Sequence, residues 1–194
     1  MRFTPTDIPD VVLIEPKVFA DDRGYFFESF SQKEFEANIG RINFVQDNES
    51  KSSYGVLRGL HYQLAPFAQA KLVSAVSGKV LDVAVDIRKG SPTYGKYVAV
   101  EISDENKLRL FIPRGFAHAF ITLSDKAIFQ YKCDNFYNKE SEAAIRFDDP
   151  TLNIDWRVAG EKIIASPKDG AAPYFEKALN TFVYSDTNTL IPHE

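Results

Sequence analysis

The chain is poor in several residue types from which sites are commonly built. Its 194 residues include one cysteine, Cys133, one tryptophan and three histidines. A single cysteine excludes an internal disulfide framework and fits a reducing compartment. Basic residues are outnumbered, 23 Lys and Arg against 27 Asp and Glu, giving a formal net charge of −4. Binding to a nucleic-acid polymer needs a basic face, which this balance does not supply. A nucleotide is not excluded, because a few converging Arg and Lys can hold a diphosphate. No stretch approaches the roughly 20 consecutive apolar residues of a membrane span, and MRFTPTDIPD at the N-terminus has no apolar signal region. The expected location is cytoplasmic, with no membrane partner. No Gly/Ser linker, repeat period or low-complexity tract divides the sequence. One domain over 1–194 is therefore expected, with the tail from about 179 left unassigned.

What is abundant favours strands. Hydrophobic residues make up 44% of the chain, enough for a sizeable core, and there are 16 Phe and 9 Tyr. Short β-type runs cover 11–19, 23–30, 79–88, 96–103, 107–113 and 127–132, separated by turn residues such as Gly78, Gly90-Ser91-Pro92 and Ser124-Asp125. In 79–88, alternation puts Leu81, Val83 and Val85 on one face and Asp82 and Asp86 on the other. One helix has a good local signature: a Ser31/Glu34 capping box, a Phe30/Phe35 staple and Gly40 to close it. A second short helix is expected over 174–180, after Pro173. These features predict a mainly β sandwich or barrel with a few short helices.

Of the three histidines, His193 reads as a disordered tail residue. His61 stands in VLRGLHYQ (56–63), where alternation puts Arg58, Leu60 and Tyr62 on one face and Gly59, His61 and Gln63 on the other. It is either a satisfied core histidine or a proton-transfer group. Arg23, Arg58, Lys71 and Lys168 are scattered among apolar or glycine-bearing runs. On strands, Arg58 and Lys71 need partners such as Asp82, Asp86 or Glu28, or else bind phosphate or an enolate. Tyr131 alone reads as a core tyrosine with a polar tip. His118 lies in IPRGFAHAF (112–120), whose P-x-G-x-x-H pattern resembles the second half of a cupin signature. Metal cupins add an H-x-H and a Glu upstream, but this chain offers only Leu60-His61-Tyr62-Gln63 there. Too few ligands remain for a transition metal, so no metal is expected.

The segments EPKVFADDRGYFFESF, FVQDNESKS, VLRGLHYQ, QAKLV, GKVLDVAVDIRKGSPTYGKYV, IPRGFAHAF, FQYK, DDPTLNIDW and SPKDGAAP occur in this order. By them the chain resembles the dTDP-4-dehydrorhamnose 3,5-epimerases along nearly its whole length. The resemblance implies a cupin-type jelly-roll barrel, a homodimer, a dTDP-sugar substrate, and no cofactor. It carries the base onto His61, the acid that orients the base onto Asp169, and the opposing proton donor onto Tyr131. Lys71 falls near the substrate's C4 oxygen. Arg23, Glu28, Gln46, Asn48, Arg58, His118, Glu142 and Lys168 fall on positions that bind the sugar nucleotide. Departures are Glu49 where many members read QDNHS, Ala119 where many read FAHGF, and Phe111 in place of a common Trp.

The implied reaction inverts C3 and C5 of a 4-keto sugar through an enolate. Three other readings stand beside it: a 3- or 5-monoepimerase of another deoxysugar pathway, a cupin that binds a sugar nucleotide without turning it over, and a metal-dependent cupin oxygenase or isomerase, against which the missing ligands count. A binding module has no need of a base on one side and an acid on the other.

Overall fold

The computed structural model describes residues 1–185, so His193 lies outside the described residues. The strands, in chain order, are β1 (Arg2–Pro5), β2 (Val12–Glu15), β3 (Val18–Asp21), β4 (Gly24–Phe27), β5 (Gln46–Ser53), β6 (Leu57–Gln63), β7 (Lys71–Ser77), β8 (Lys79–Asp86), β9 (Tyr97–Ser103), β10 (Arg109–Ile112), β11 (Phe116–Thr122), β12 (Lys126–Cys133) and β13 (Glu142–Ala144). One sheet has the order β1-β2-β10-β7-β12-β5 and a second the order β13-β6-β11-β8-β9, while β3 and β4 form a two-stranded hairpin. This is the mainly β, cupin-type jelly roll expected from the sequence. The run 11–19 divides into β2 and β3 at Pro16, which has no N–H to offer a ladder.

Between the two sheets lies an apolar layer that includes Val73, Leu110 and Phe129 from the first and Val80, Ile102 and Phe120 from the second. Each large side chain removed from water here contributes on the order of 1.5–3 kcal/mol. Both outer faces are covered as well. Phe35, on helix α1 (Gln32–Asn38), packs with Phe111 and Leu72 on the six-stranded sheet. Leu152, Trp156 and Phe182 pack with Leu81, Val83 and Val85 on the five-stranded one. The alternation expected for β8 holds, with both of its faces buried. Its apolar face points outward beneath the C-terminal segments, and Asp82 and Asp86, both fully buried, stand on the other side with Val80 and Ala84, which belong to the inner layer.

Helix α1 follows its signature: the Ser31 hydroxyl accepts from the Glu34 N–H, the Phe30 and Phe35 rings meet at a tilt of 52° with centroids 5.7 Å apart, and Gly40 follows at φ +123°. The second expected helix is only a 3-10 turn over Phe175–Lys177. No side chain caps it, and Phe175 turns aside to lie against Tyr94. Within the segment without a motif, residues 179–185 form a strap. Tyr62 donates to the Leu179 carbonyl at 2.6 Å, Asn180 reaches the Ile87 carbonyl, and Arg88 lies over the Tyr184 ring at 5.0 Å.

Candidate active site

The residues that matter most converge because β6 departs from strict alternation. His61 pairs with His118 on β11, and Arg58 pairs with Phe120. Three steps on β6 thus oppose two on β11, so a bulge turns Arg58 and His61 to the same side. The expectation that they occupy opposite faces is corrected: both line the cavity, while Leu60 and Tyr62 remain in the outer layer. Gly59 makes the bulge possible. Its φ is +120°, and a Cβ there would lie 2.5 Å from the His118 carbonyl oxygen.

A cavity of about 590 Å³ opens between the sheets, lined by Asn48, Arg58, His61, Lys71, His118, Tyr131, Lys168 and Asp169 among others. A second lobe of about 390 Å³ shares Asn48, His61, Lys71 and Tyr131 with it and adds Gln46, Gln63, Tyr137 and Glu142. Arg23 and Glu28 line neither lobe. Arg23 sits exposed on the β3–β4 hairpin, bound to Asp21, and Glu28 is exposed just beyond β4.

His61 Nε2 donates to Asp169 Oδ1 at 2.6 Å. Asp169 belongs to the short helix α2 (Pro167–Gly170), where the Ser166 hydroxyl accepts from the Asp169 N–H at 3.1 Å. Burial opposes the Asp169 charge, but hydrogen bonds and charge from His61, Ser166 and the Gly59 N–H hold its pKa below the ordinary value. With Nε2–H committed, Nδ1 carries the lone pair of a neutral ring.

A second pair lies deeper. His118 Nε2 donates to Asp82 Oδ2 at 2.8 Å, and Asp82 is fully buried. Burial lowers the His118 pKa, with Lys71 adding to the effect and the Asp82 charge opposing it. Asp82 and Asp86 are therefore not partners of Arg58. Asp86 is held by Arg88, and Arg58 donates to the Ser52 hydroxyl at 3.1 Å. The Lys71 ammonium makes no hydrogen bond or ion pair among the described residues; burial lowers its pKa, against the pull of Cys133 and Asp82. Its Nζ lies 5.7 Å from the centre of the Tyr131 ring. Burial raises the Tyr131 pKa, Cys133 adds to this, and Arg58 works against it. The phenol therefore keeps its proton. Among the described residues, no three His, Cys, Asp or Glu side chains gather so as to hold a metal ion.

At the mouth, Lys168 Nζ lies 2.6 Å from Glu142 Oε2, which also accepts from the Tyr137 hydroxyl at 3.0 Å. Gln46 donates to Asn48 and accepts from the Tyr137 N–H. Sequence reasoning passed over Tyr137 and treated Asp82 only as an ion-pair partner. Tyr137 is one of 9 tyrosines in an irregular loop, with no local signal. For Asp82 the signal was its place in an otherwise apolar strand.

The family model of dTDP-4-dehydrorhamnose 3,5-epimerase matches residues 5–177. The chain belongs to this family. It is 57% identical to a dTDP-4-dehydrorhamnose 3,5-epimerase of Shigella flexneri, over 90% of this chain and 99% of that one. A crystal structure of a dTDP-6-deoxy-D-glucose-3,5-epimerase from Legionella pneumophila, in complex with dTDP-4-keto-L-rhamnose, is 51% identical with a TM-score of 0.87, covering 91% of this chain and 93% of that one. A 3'-monoepimerase from Streptomyces bikiniensis in complex with dTDP-quinovose is similar at 34% identity and TM-score 0.82, covering 89% and 87%. Of the departures from the family pattern, Glu49 stands on the solvent side of β5 and accepts from Gln130 at 2.7 Å, while Phe111 and Ala119 are buried.

Proposed function

We propose that the chain inverts C3 and C5 of dTDP-4-dehydro-6-deoxy-D-glucose, giving dTDP-4-dehydro-L-rhamnose. The observation that carries this reading is the placement of a base and an acid on opposite walls: His61 on β6 of the five-stranded sheet, Tyr131 on β12 of the six-stranded sheet. The 4-keto group acidifies both neighbouring C–H bonds, because loss of either proton gives an enolate. His61 Nδ1 takes the proton from one face of the sugar. Tyr131, held protonated, returns one from the other face, and the carbon inverts. Asp169 fixes the His61 tautomer and stabilises the imidazolium. Lys71, whose ammonium has no hydrogen-bond or ion-pair partner among the described residues, supplies positive charge where the enolate oxygen develops; one such donor is worth roughly 3 kcal/mol. The chemistry needs no metal and no cofactor.

Arg58, Lys168, His118, Asn48, Gln46 and Glu142 bind the sugar nucleotide along the two lobes, and this remote binding positions the ring for reaction. The chain acts in the cytoplasm as a homodimer. Supporting the dimer is the β3–β4 hairpin, which leaves Phe19 and Phe26 exposed at 55% and 72%. Arg23 and Glu28 keep a role in binding only where a second chain brings them to a cavity.

Incubation with the 4-keto substrate in D₂O tests the reading, with NMR following deuterium at C3 and C5. The expected result is incorporation at both positions and loss of both in His61→Ala. Incorporation at one carbon only would make the chain a monoepimerase, as the Streptomyces relative is described. Normal exchange in His61→Ala would remove His61 as the base.

A further inference from the structure

We propose that Gln63 is a positioning residue for substrate binding, acting through the rim loop 136–138 and its exposed Tyr137. This rests on the placement of the sugar nucleotide in the two-lobed cavity. Gln63 follows His61 by two residues on β6, so both side chains stand on the same side, and both line the second lobe. Only 4% of Gln63 is exposed. Both donors of its carboxamide and its oxygen are engaged by backbone groups of two loops. Nε2 donates to the Phe67 carbonyl at 2.7 Å and to the Phe136 carbonyl at 3.1 Å, while Oε1 accepts from the Asn138 N–H at 2.6 Å.

Phe136 and Asn138 flank Tyr137, so the carboxamide clamps the backbone on both sides of that ring. From the clamped position the Tyr137 hydroxyl reaches Glu142, its N–H reaches Gln46, and Glu142 in turn holds Lys168. Asn138 also caps the 3-10 turn that leads into Glu142. No other side chain bonds to the backbone on both sides of Tyr137 among the described residues. The strand that presents His61 therefore sets the distance between the base and the wall at the mouth. Loss of the clamp loosens that wall and leaves His61, Asp169 and Tyr131 as they are, which predicts weaker binding with unchanged chemistry.

Steady-state kinetics of Gln63→Met, Tyr137→Ala and the double variant test this. The expected result is a KM raised about tenfold in Gln63→Met with kcat within about twofold, the mark of lost uniform binding. In the double variant, KM is expected to match that of Tyr137→Ala alone, because the two act as one unit. If Gln63→Met does not fold, Gln63→Glu is read in the same way; it keeps the acceptor for Asn138 and sets an oxygen against two carbonyls. An unchanged KM in a folded Gln63 variant overturns the proposal. So does a fall in kcat at constant KM, or KM effects that multiply in the double variant. Deuterium exchange in His61→Ala is scored separately, so failure of the His61 assignment is distinguishable from failure of this one.

Discussion

The Nε2 atom of His61 lies 2.6 Å from Asp169 Oδ1, although 108 positions separate the two in sequence. The contact joins a strand of the inner barrel to a four-residue helix that has little stability of its own. Asp169 is held from several sides: its N–H is bound to Ser166, its side chain is 5% exposed, and the Gly59 N–H stabilises its charge. A carboxylate fixed in this way admits one orientation of the ring. Orientation and tautomer, more than proximity, are what the pair adds to the imidazole.

Asp169→Asn therefore keeps the volume and loses the function of the pair. An amide in the same place either offers an N–H to Nε2, which reverses the tautomer, or accepts without charge. We expect kcat to fall about 10²- to 10⁴-fold with KM little changed, measured by coupled assay on protein of unaltered circular dichroism.

Tyr131→Phe separates abstraction from delivery. The ring stays in its aromatic neighbourhood, with Phe129 and His118 at 6.2 and 6.5 Å, so the fold is preserved. His61 still removes a proton, but nothing on the opposite wall returns one. The expected outcome is deuterium exchange that continues with retention while inverted product falls about a hundredfold. Loss of exchange and inversion to the same degree would show that Tyr131 serves the abstraction step.

Much of this arrangement was legible in the sequence, and the exceptions share a physical cause. The strand runs and the capped helix followed from local patterns. Strict alternation failed at Gly59, and in β8 it held with both faces buried. Asp82 and Asp86 therefore stand on the inner side of the strand, bound to His118 and Arg88, and not in solvent. At Gly59 a one-residue bulge moved Arg58 onto the side of His61. Neither effect belongs to a strand considered alone; each depends on what packs against it. Arg23 and Glu28 matched the family pattern but line neither lobe of the cavity, and nothing in their local sequence marks that difference.

Gly59→Ala tests the bulge directly. The added methyl meets the His118 carbonyl and the Ala119 side chain at about 2.5 Å, and its φ of +120° disfavours any L side chain. Neighbours that are backbone cannot yield as a side-chain tip would. We expect a loss of about 3 kcal/mol or more, seen as a lower urea midpoint at unchanged m, and activity reduced more than stability alone explains. The excess loss follows from displacing Arg58 and His61 together.

Asp86 carries the clearest pH dependence of stability. It is fully buried and accepts from Arg88 Nε at 2.9 Å, Arg88 Nη2 at 2.8 Å, and the Ser91 and Thr93 hydroxyls at 2.6 Å each. Burial by itself would raise its pKa, but these donors outweigh it, and the folded value lies below the ordinary 3.8. A carboxyl with a depressed folded pKa binds protons more readily in the unfolded chain. Its contribution is complete above 3.8, the unfolded value, and is lost as pH falls through the folded one. Asp86→Asn removes that contribution at every pH and leaves Asp10 as the one carboxylate paired with Arg88 among the described residues. We expect a loss of about 3 kcal/mol near neutral pH, together with a flatter stability curve below about pH 4. Urea titrations across that range check both expectations. A variant as steeply acid-sensitive as the parent would show that another carboxylate governs the transition.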